Sequence, residues 1–333
     1  MIDLRSDTVT SPCKNMREAM SNATVGDDVY GEDPSVNELE RLGASILGKP
    51  SAIFAPSGTQ SNLIALLTHC ARGDEYICGS QSHTYKYEGG GAAVLGGIQP
   101  NPLEMRIDGT FSEQALSEAI KPNDVHFARS RLVCLENTYA GNPIPLHYAK
   151  KIKRTCIELE LALHLDGARI FNAAVACGVE AKTIAKHFDT VSVCLSKGLG
   201  APVGSLLMGS PEFIREARRW RKVLGGGLRQ AGVLAAAGIY ALKNNVRRLD
   251  EDHEKALEIA ATLNSVFGAE RVSCQTNMVH LRLSSSDYER LACHLYERGI
   301  KADRPRWVFH KDITMSGIRE LRRAIKSFNM RVK

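Results

Sequence analysis

The sequence predicts an α/β protein, a large unit on a mostly parallel sheet followed by a smaller C-terminal α/β unit. Three observations lead there. Short β-type runs alternate with helical patterns through the first two thirds of the chain, as in folds whose parallel strands are joined by crossover helices. The chain has 333 residues, 44% hydrophobic and 24% charged, which suits a globular protein of about two domains at roughly 100–200 residues each. The pattern then changes near residue 248, where a long helical stretch opens a second, shorter series of elements.

Within the large unit, residues 1–247, seven strand candidates fall at 52–54, 75–78, 93–95, 132–136, 161–165, 190–195 and 205–208. The helices between them carry their own start signals. Asp33-Pro34-Ser35 opens one, with Ser35 and Glu38 matching a capping box and Leu39, Leu42 and Ile46 recurring on one face. Ser57 and Gln60 form a second capping box ahead of Leu63, Leu66 and Leu67. Residues 212–222 and the Ala-rich 228–244 also read as helices. In the smaller unit, 248–333, a helix at 250–267 leads to a strand at 278–283. A helix at 287–298, a short strand at 307–309 and a final helix at 317–328 complete it.

Composition excludes several classes. The longest apolar stretch, 232–242, falls short of the ~18 residues that a membrane span needs, so no membrane partner is expected. The first residues carry early acids and no apolar core, unlike a signal or transit peptide. Nine cysteines without a C-x-x-C pair argue against a disulfide framework and against a metal site. They predict reduced thiols in a cytoplasmic setting. The net charge is +6, with a basic run at 215–221 around Trp220. One run without a second basic stripe reads as a polar helix face or a local anion site, and no nucleic-acid partner is expected.

Three constellations carry chemistry. In Pro56-Ser57-Gly58-Thr59-Gln60 a strand ends and a capped helix begins, a turn whose free N–H groups suit phosphate, though it is also an ordinary cap. In Leu163-His164-Leu165-Asp166-Gly167-Ala168-Arg169 an acid closes a buried-looking strand. Asp166 is either a helix cap or the partner of a cation such as a protonated ring nitrogen. In Cys194-Leu195-Ser196-Lys197-Gly198 an apolar strand ends on a lysine. That amine is either a surface group in a Gly-rich turn or, partly desolvated, a nucleophile toward carbonyls. Taken in chain order, a phosphate turn, a ring-nitrogen acid and a Schiff-base lysine form the pattern of pyridoxal 5'-phosphate enzymes. Nicotinamide binding is disfavoured because no G-x-G-x-x-G precedes a helix, and no Walker A lysine is present.

The residues also resemble a known family. Asp3-Leu4-Arg5-Ser6-Asp7-Thr8-Val9-Thr10, Gly26 through Pro34, HLDGARIF from His164 and LSKGLGAPVG from Leu195 are similar to low-specificity L-threonine aldolases. The resemblance runs from residue 1 to about 310. It implies the aspartate-aminotransferase type of fold (fold type I) and a homotetramer with active sites shared across a dimer. It implies cleavage of L-threonine, L-allo-threonine and related β-hydroxy-α-amino acids to glycine and an aldehyde.

The resemblance further implies roles. Lys197 holds the cofactor covalently, Asp166 pairs with the ring nitrogen, Gly58 and Thr59 hold the phosphate, and His83 stacks on the ring. Ser6, Arg169 and Arg306 bind the substrate carboxylate, with Arg304 an alternative to Arg306. His126 lies near the β-hydroxyl, and the general base is His83, His126 or a water. Tyr87, Lys222 and Arg229 border the site, the last two from a neighbouring subunit. Tyr87 and Tyr139 stand where the family commonly has Phe and His. The rival readings are another pyridoxal phosphate lyase or a serine hydroxymethyltransferase-like enzyme, and, outside enzymes, an anion or RNA binder on the same fold.

Overall fold

The computed structural model describes residues 1–329; the last four positions of the expected C-terminal unit lie outside them. Twelve strands occur in chain order: β1 (Ile2–Asp3), β2 (Ser51–Ala55), β3 (Asp74–Gly79), β4 (Gln99–Leu103), β5 (Arg129–Glu136) and β6 (Ala162–Asp166), then β7 (Thr190–Cys194), β8 (Ser205–Gly209), β9 (Val272–Gln275), β10 (Met278–Leu281), β11 (Ile300–Lys301) and β12 (Arg306–Val308). The main sheet has seven strands in the order β2-β8-β7-β6-β5-β3-β4. Only β8 runs against its neighbours. Helices cover both faces, and the inner strands β7 and β8 are buried along their whole length. Such double cover is why these strands read as continuous apolar runs rather than alternating ones.

Local chemistry sets the helix starts. Ser57 caps the helix Gly58–His69, accepting from the Gln60 amide at 3.1 Å. The helix Pro34–Leu47 is capped by Asp33 rather than by the expected Ser35. Pro34 has no N–H to satisfy and fits the first helical position, so the cap falls one residue before it. Ser35 lies inside the helix and its hydroxyl donates to the Thr24 carbonyl at 2.6 Å.

The strand expected at 93–95 is instead part of a short helix, Gly91–Gly96, flanked by Gly90 and Gly97 with φ of 66° and 61°. A three-residue apolar run has no readable period. The edge strand is β4, which carries Pro100 and Pro102. An edge tolerates residues that cannot donate to a ladder.

A second apolar core gathers residues of 256–328 around Trp307, and Leu4 belongs to it. β1 pairs in parallel with β11, Ile2 opposite Ile300. The first residues therefore add a strand to the C-terminal unit, which is how residues 6–8 come to lie between the two cores. No helix among the described residues is long and apolar enough to cross a membrane.

Candidate active site

The C-terminal ends of β2, β3, β5, β6 and β7 gather at one edge of the sheet, where open α/β folds place ligands. β2 delivers the turn at 56–59. The Ser57 hydroxyl and carbonyl take the amides of Gln60 and Ser61. The amides of Gly58 and Thr59 have no acceptor among the described residues. Glycine is required at 58, because an added Cβ would fall 2.7 Å from the Cys194 sulfur.

β6 delivers Asp166, which is 3% exposed. Its two oxygens accept from the Asn62 side-chain amide at 2.9 Å and the Ala168 backbone amide at 3.1 Å. Both donors are neutral, and Asp166 has no cationic partner among the described residues. In the adjacent strand Glu136 stands level with it. Burial and then the Asp166 charge push Glu136 up to about 7.

The segment after β3 carries His83. Its backbone amide donates to Glu136 Oε2 at 2.8 Å, and its Nδ1 lies 2.7 Å from Glu88 Oε1. The bond to Glu88 holds His83 above the ordinary histidine value, against the opposing effect of burial. Lys197 follows β7, and its backbone carbonyl accepts from the Thr10 hydroxyl at 2.9 Å. That bond ties the lysine's turn to the N-terminal segment.

A cleft of about 360 Å³ lies over these groups. It is lined by the expected Ser6, His83, Tyr87, Arg169, Lys197 and Arg306, and also by Glu136, Tyr139 and Arg304. Arg169 makes a bidentate pair with buried Asp7, at 2.8 and 2.6 Å. Burial alone would raise Asp7, but the Arg169 charge and hydrogen bonds hold it down at about 2. Nη1 of Arg169 keeps no protein partner among the described residues. Arg306 donates to the Arg5 carbonyl at 3.2 Å, while its buried Nε has no partner. Burial and the neighbouring Arg169 press the Arg306 guanidinium downward. Two guanidiniums with spare donors in one cleft suit a carboxylate.

Three expected residues are not brought to this cleft within one chain. His126 lies before β5 begins, at the opposite edge of the sheet, with its side chain 80% exposed. The segment there is a turn: Asp124 takes both the His126 amide, at 2.9 Å, and Nδ1, at 2.5 Å. Lys222 lines a separate cavity with Asp28, Tyr30 and Arg221. Arg229 pairs with Asp27 at 3.1 Å.

Four residues that shape the site were not anticipated: Asp7, Asn62, Glu88 and Glu136. Glu136 carried a signal, since it closes an apolar strand just as Asp166 does. Asp7, Asn62 and Glu88 are buried polar residues, and no spacing marks such burial in a sequence.

A mostly parallel sheet whose strand ends present an amine, a buried acid, an imidazole and two guanidiniums is an amino-acid enzyme site, and comparison with known proteins places it among lyases. In agreement, the family model described as beta-eliminating lyase matches residues 3–284. The low specificity L-threonine aldolase of Escherichia coli K12 is 51% identical over 324 residues, 96% of this chain and 97% of that one. Low-specificity L-threonine aldolase 1 of Arabidopsis thaliana is 43% identical over 333 residues, 95% of this chain and 93% of that one. A solved threonine aldolase from Leishmania major superposes with a TM-score of 0.83 at 19% identity, covering 98% of each chain, and shares the fold. The chain belongs to the low-specificity L-threonine aldolase family.

The donor set fits pyridoxal phosphate. A buried carboxylate held only by neutral donors favours a protonated ring nitrogen. Two free amides at the start of a 12-residue helix suit the phosphate, and a lysine amine suits the aldehyde carbon.

Proposed function

We propose that this chain cleaves L-threonine and L-allo-threonine, and related β-hydroxy-α-amino acids, to glycine and an aldehyde, which is acetaldehyde for threonine. The observation that carries the reading is the convergence of Lys197, His83, Arg169 and Arg306 on one cleft, above buried Asp166. The names of the Escherichia coli and Arabidopsis relatives support it.

Bound here, pyridoxal phosphate supplies an electron sink for the pair released when the Cα–Cβ bond breaks. The protein's own residues do the rest. Lys197 holds the cofactor through its amine, the Gly58 and Thr59 amides hold its phosphate, and Asp166 keeps its ring nitrogen protonated. Ser6, Arg169 and Arg306 bind the substrate carboxylate. Arg306 is assigned this role over Arg304 because it is the more buried of the two and keeps an unpartnered Nε. Fixing the carboxylate orients the Cα–Cβ bond for cleavage, and positioning of this kind lowers the barrier.

His83 is the only imidazole lining the cleft among the described residues, and it takes the β-hydroxyl proton directly or through a water that it holds. As that proton leaves, the C–C bond breaks, the β-carbon becomes the aldehyde carbonyl, and Cα takes a proton to give glycine. Tyr87 and Tyr139 border the cleft and shape the space for the aldehyde part.

Lys222 and Arg229 enter this picture from a second copy of the chain, in a homotetramer whose sites are shared across a dimer. The nine free cysteines fit a cytoplasmic setting.

A Lys197→Ala variant tests the assignment. Its rate of acetaldehyde release from L-threonine should fall by about 10³-fold or more, because both nucleophile and cofactor anchor are gone. Turnover near the wild-type rate would overturn the role of Lys197.

A further inference from the structure

A buried chain of hydrogen bonds runs behind His83 and Asp166, and its direction can be worked out. Asn62 Nδ2 lies 2.8 Å from Glu88 Oε1 and 2.9 Å from Asp166 Oδ2. An amide nitrogen has two hydrogens, so one side chain serves both carboxylates. Asn62 Oδ1 is then the acceptor toward His164 Nε2 at 3.3 Å. His164 is fully buried and pushed down to about 3, hence neutral with a single N–H. With that hydrogen on Nε2, its Nδ1 accepts from the Thr190 hydroxyl at 2.9 Å. The Thr190 oxygen in turn accepts from His69 Nε2 at 2.8 Å. In this arrangement every donor has one acceptor, and Glu88 Oε1 accepts from Asn62.

With Glu88 ionised, its Oε1 accepts from both Asn62 and His83, and the hydrogen between Glu88 and His83 sits on His83 Nδ1; burial works against that charge, and the hydrogen bonds from His83 and Asn62 work for it. The Nε2 lone pair of neutral His83 is left free, with no protein partner among the described residues. We propose that Glu88 is a positioning residue for the cleavage reaction: it fixes the tautomer and ring plane of His83 so that Nε2 is presented as the proton acceptor. This rests on the reading of the cleft given above. The same logic orients the histidine of a Ser-His-Asp triad, where a buried carboxylate on one ring nitrogen prepares the other.

The carboxylate is well suited to the role. Its side chain is 4% exposed, and Asn62 ties it to the acid that faces the cofactor ring. The His83 amide is held separately by Glu136, so backbone and ring are each fixed by an acid. The charged and titratable groups around His83 are Glu88 and Tyr87 on its own segment, Glu136, Asp166 and Lys197 from the strand ends, and Arg169, Arg304 and Arg306 across the cleft.

The test uses holoenzyme and two measurements. In Glu88→Gln an acceptor of the same shape remains but the charge is gone. Neutral His83 should then persist to lower pH, and the acid limb of kcat/KM for L-threonine should move to lower pH. The plateau of kcat should fall by about tenfold or more, as expected when a general base is weakened, with the visible absorbance of bound cofactor retained. An acid limb that superposes on the wild type would overturn the proposal, leaving Glu88 a structural role only. The second measurement needs no variant: nitrogen NMR of the wild-type histidines should show neutral His83 protonated on Nδ1. Protonation on Nε2 would overturn the proposal. If the wild type cleaves no β-hydroxy amino acid, the reaction assigned to the cleft fails, and the tautomer alone decides for or against Glu88.

Discussion

At the scale of single residues, Asp7 and Arg169 join catalysis to stability. The pair is bidentate and buried, with Asp7 fully inaccessible and Arg169 13% exposed. Asp7 takes Nε and Nη2 of the Arg169 fork and leaves Nη1, the atom proposed for the substrate carboxylate. Replacing Asp7 by Asn leaves a buried guanidinium uncompensated, which costs about 3–5 kcal/mol. The folded Asp7 value of about 2 lies below its ordinary 3.8, so its contribution is complete above about 3.8 and is lost as pH falls through about 2. Urea unfolding should show wild type well above Asp7→Asn at pH 7, with the gap beginning to close below pH 3.8. A constant gap across that range would contradict the assigned pairing.

At the scale of elements, the turn between β2 and the helix Gly58–His69 depends on one missing side chain. A Cβ at residue 58 would meet the Cys194 sulfur at 2.7 Å, and Cys194 is buried at the end of β7. Overpacking of this sort costs roughly 1–3 kcal/mol. Gly58→Ala should weaken cofactor binding by about tenfold, since each 1.4 kcal/mol is a factor of ten. Adding Cys194→Ala should recover part of the loss, because it removes the clashing atom. Cofactor titration followed by visible absorbance reads both effects. Unchanged affinity in the single variant would show that the turn has slack.

The elements also show what the sequence made legible. The strand ends carrying Gly58, Asp166 and Lys197 were readable because an apolar run stopping on a polar residue is a local pattern. The Ser57 cap was readable for the same reason. The cap at Asp33 was misplaced by two residues because Pro34 decides it. Residues 93–95 have too few positions to show a period, and the prolines of β4 disguise an edge strand. β1 was invisible because its partner lies at 300–301, and no local pattern encodes a pairing that distant.

At the scale of the molecule, the site exists because two apolar cores meet. The large sheet supplies His83, Asp166 and Lys197. The C-terminal unit supplies Arg306 at the start of β12, and the N-terminal segment lies between them through β1 and the Thr10 bond to the Lys197 carbonyl. The groups proposed for the carboxylate, Ser6, Arg169 and Arg306, thus come from all three parts, and those proposed for the cofactor come from the large sheet alone. The displacement of His126 belongs to this scale too: its residue type suited the role, but β5 begins only at Arg129, which leaves it at the far edge of the sheet.

The measurement that most directly tests the central claim is acetaldehyde release from L-threonine and L-allo-threonine, in parallel, by purified protein supplied with pyridoxal phosphate. Release from both substrates is the predicted result, since the proposed grip acts on the carboxylate and the cleft is bordered by Tyr87 and Tyr139. A protein that takes up the cofactor yet releases acetaldehyde from neither would contradict the assigned reaction.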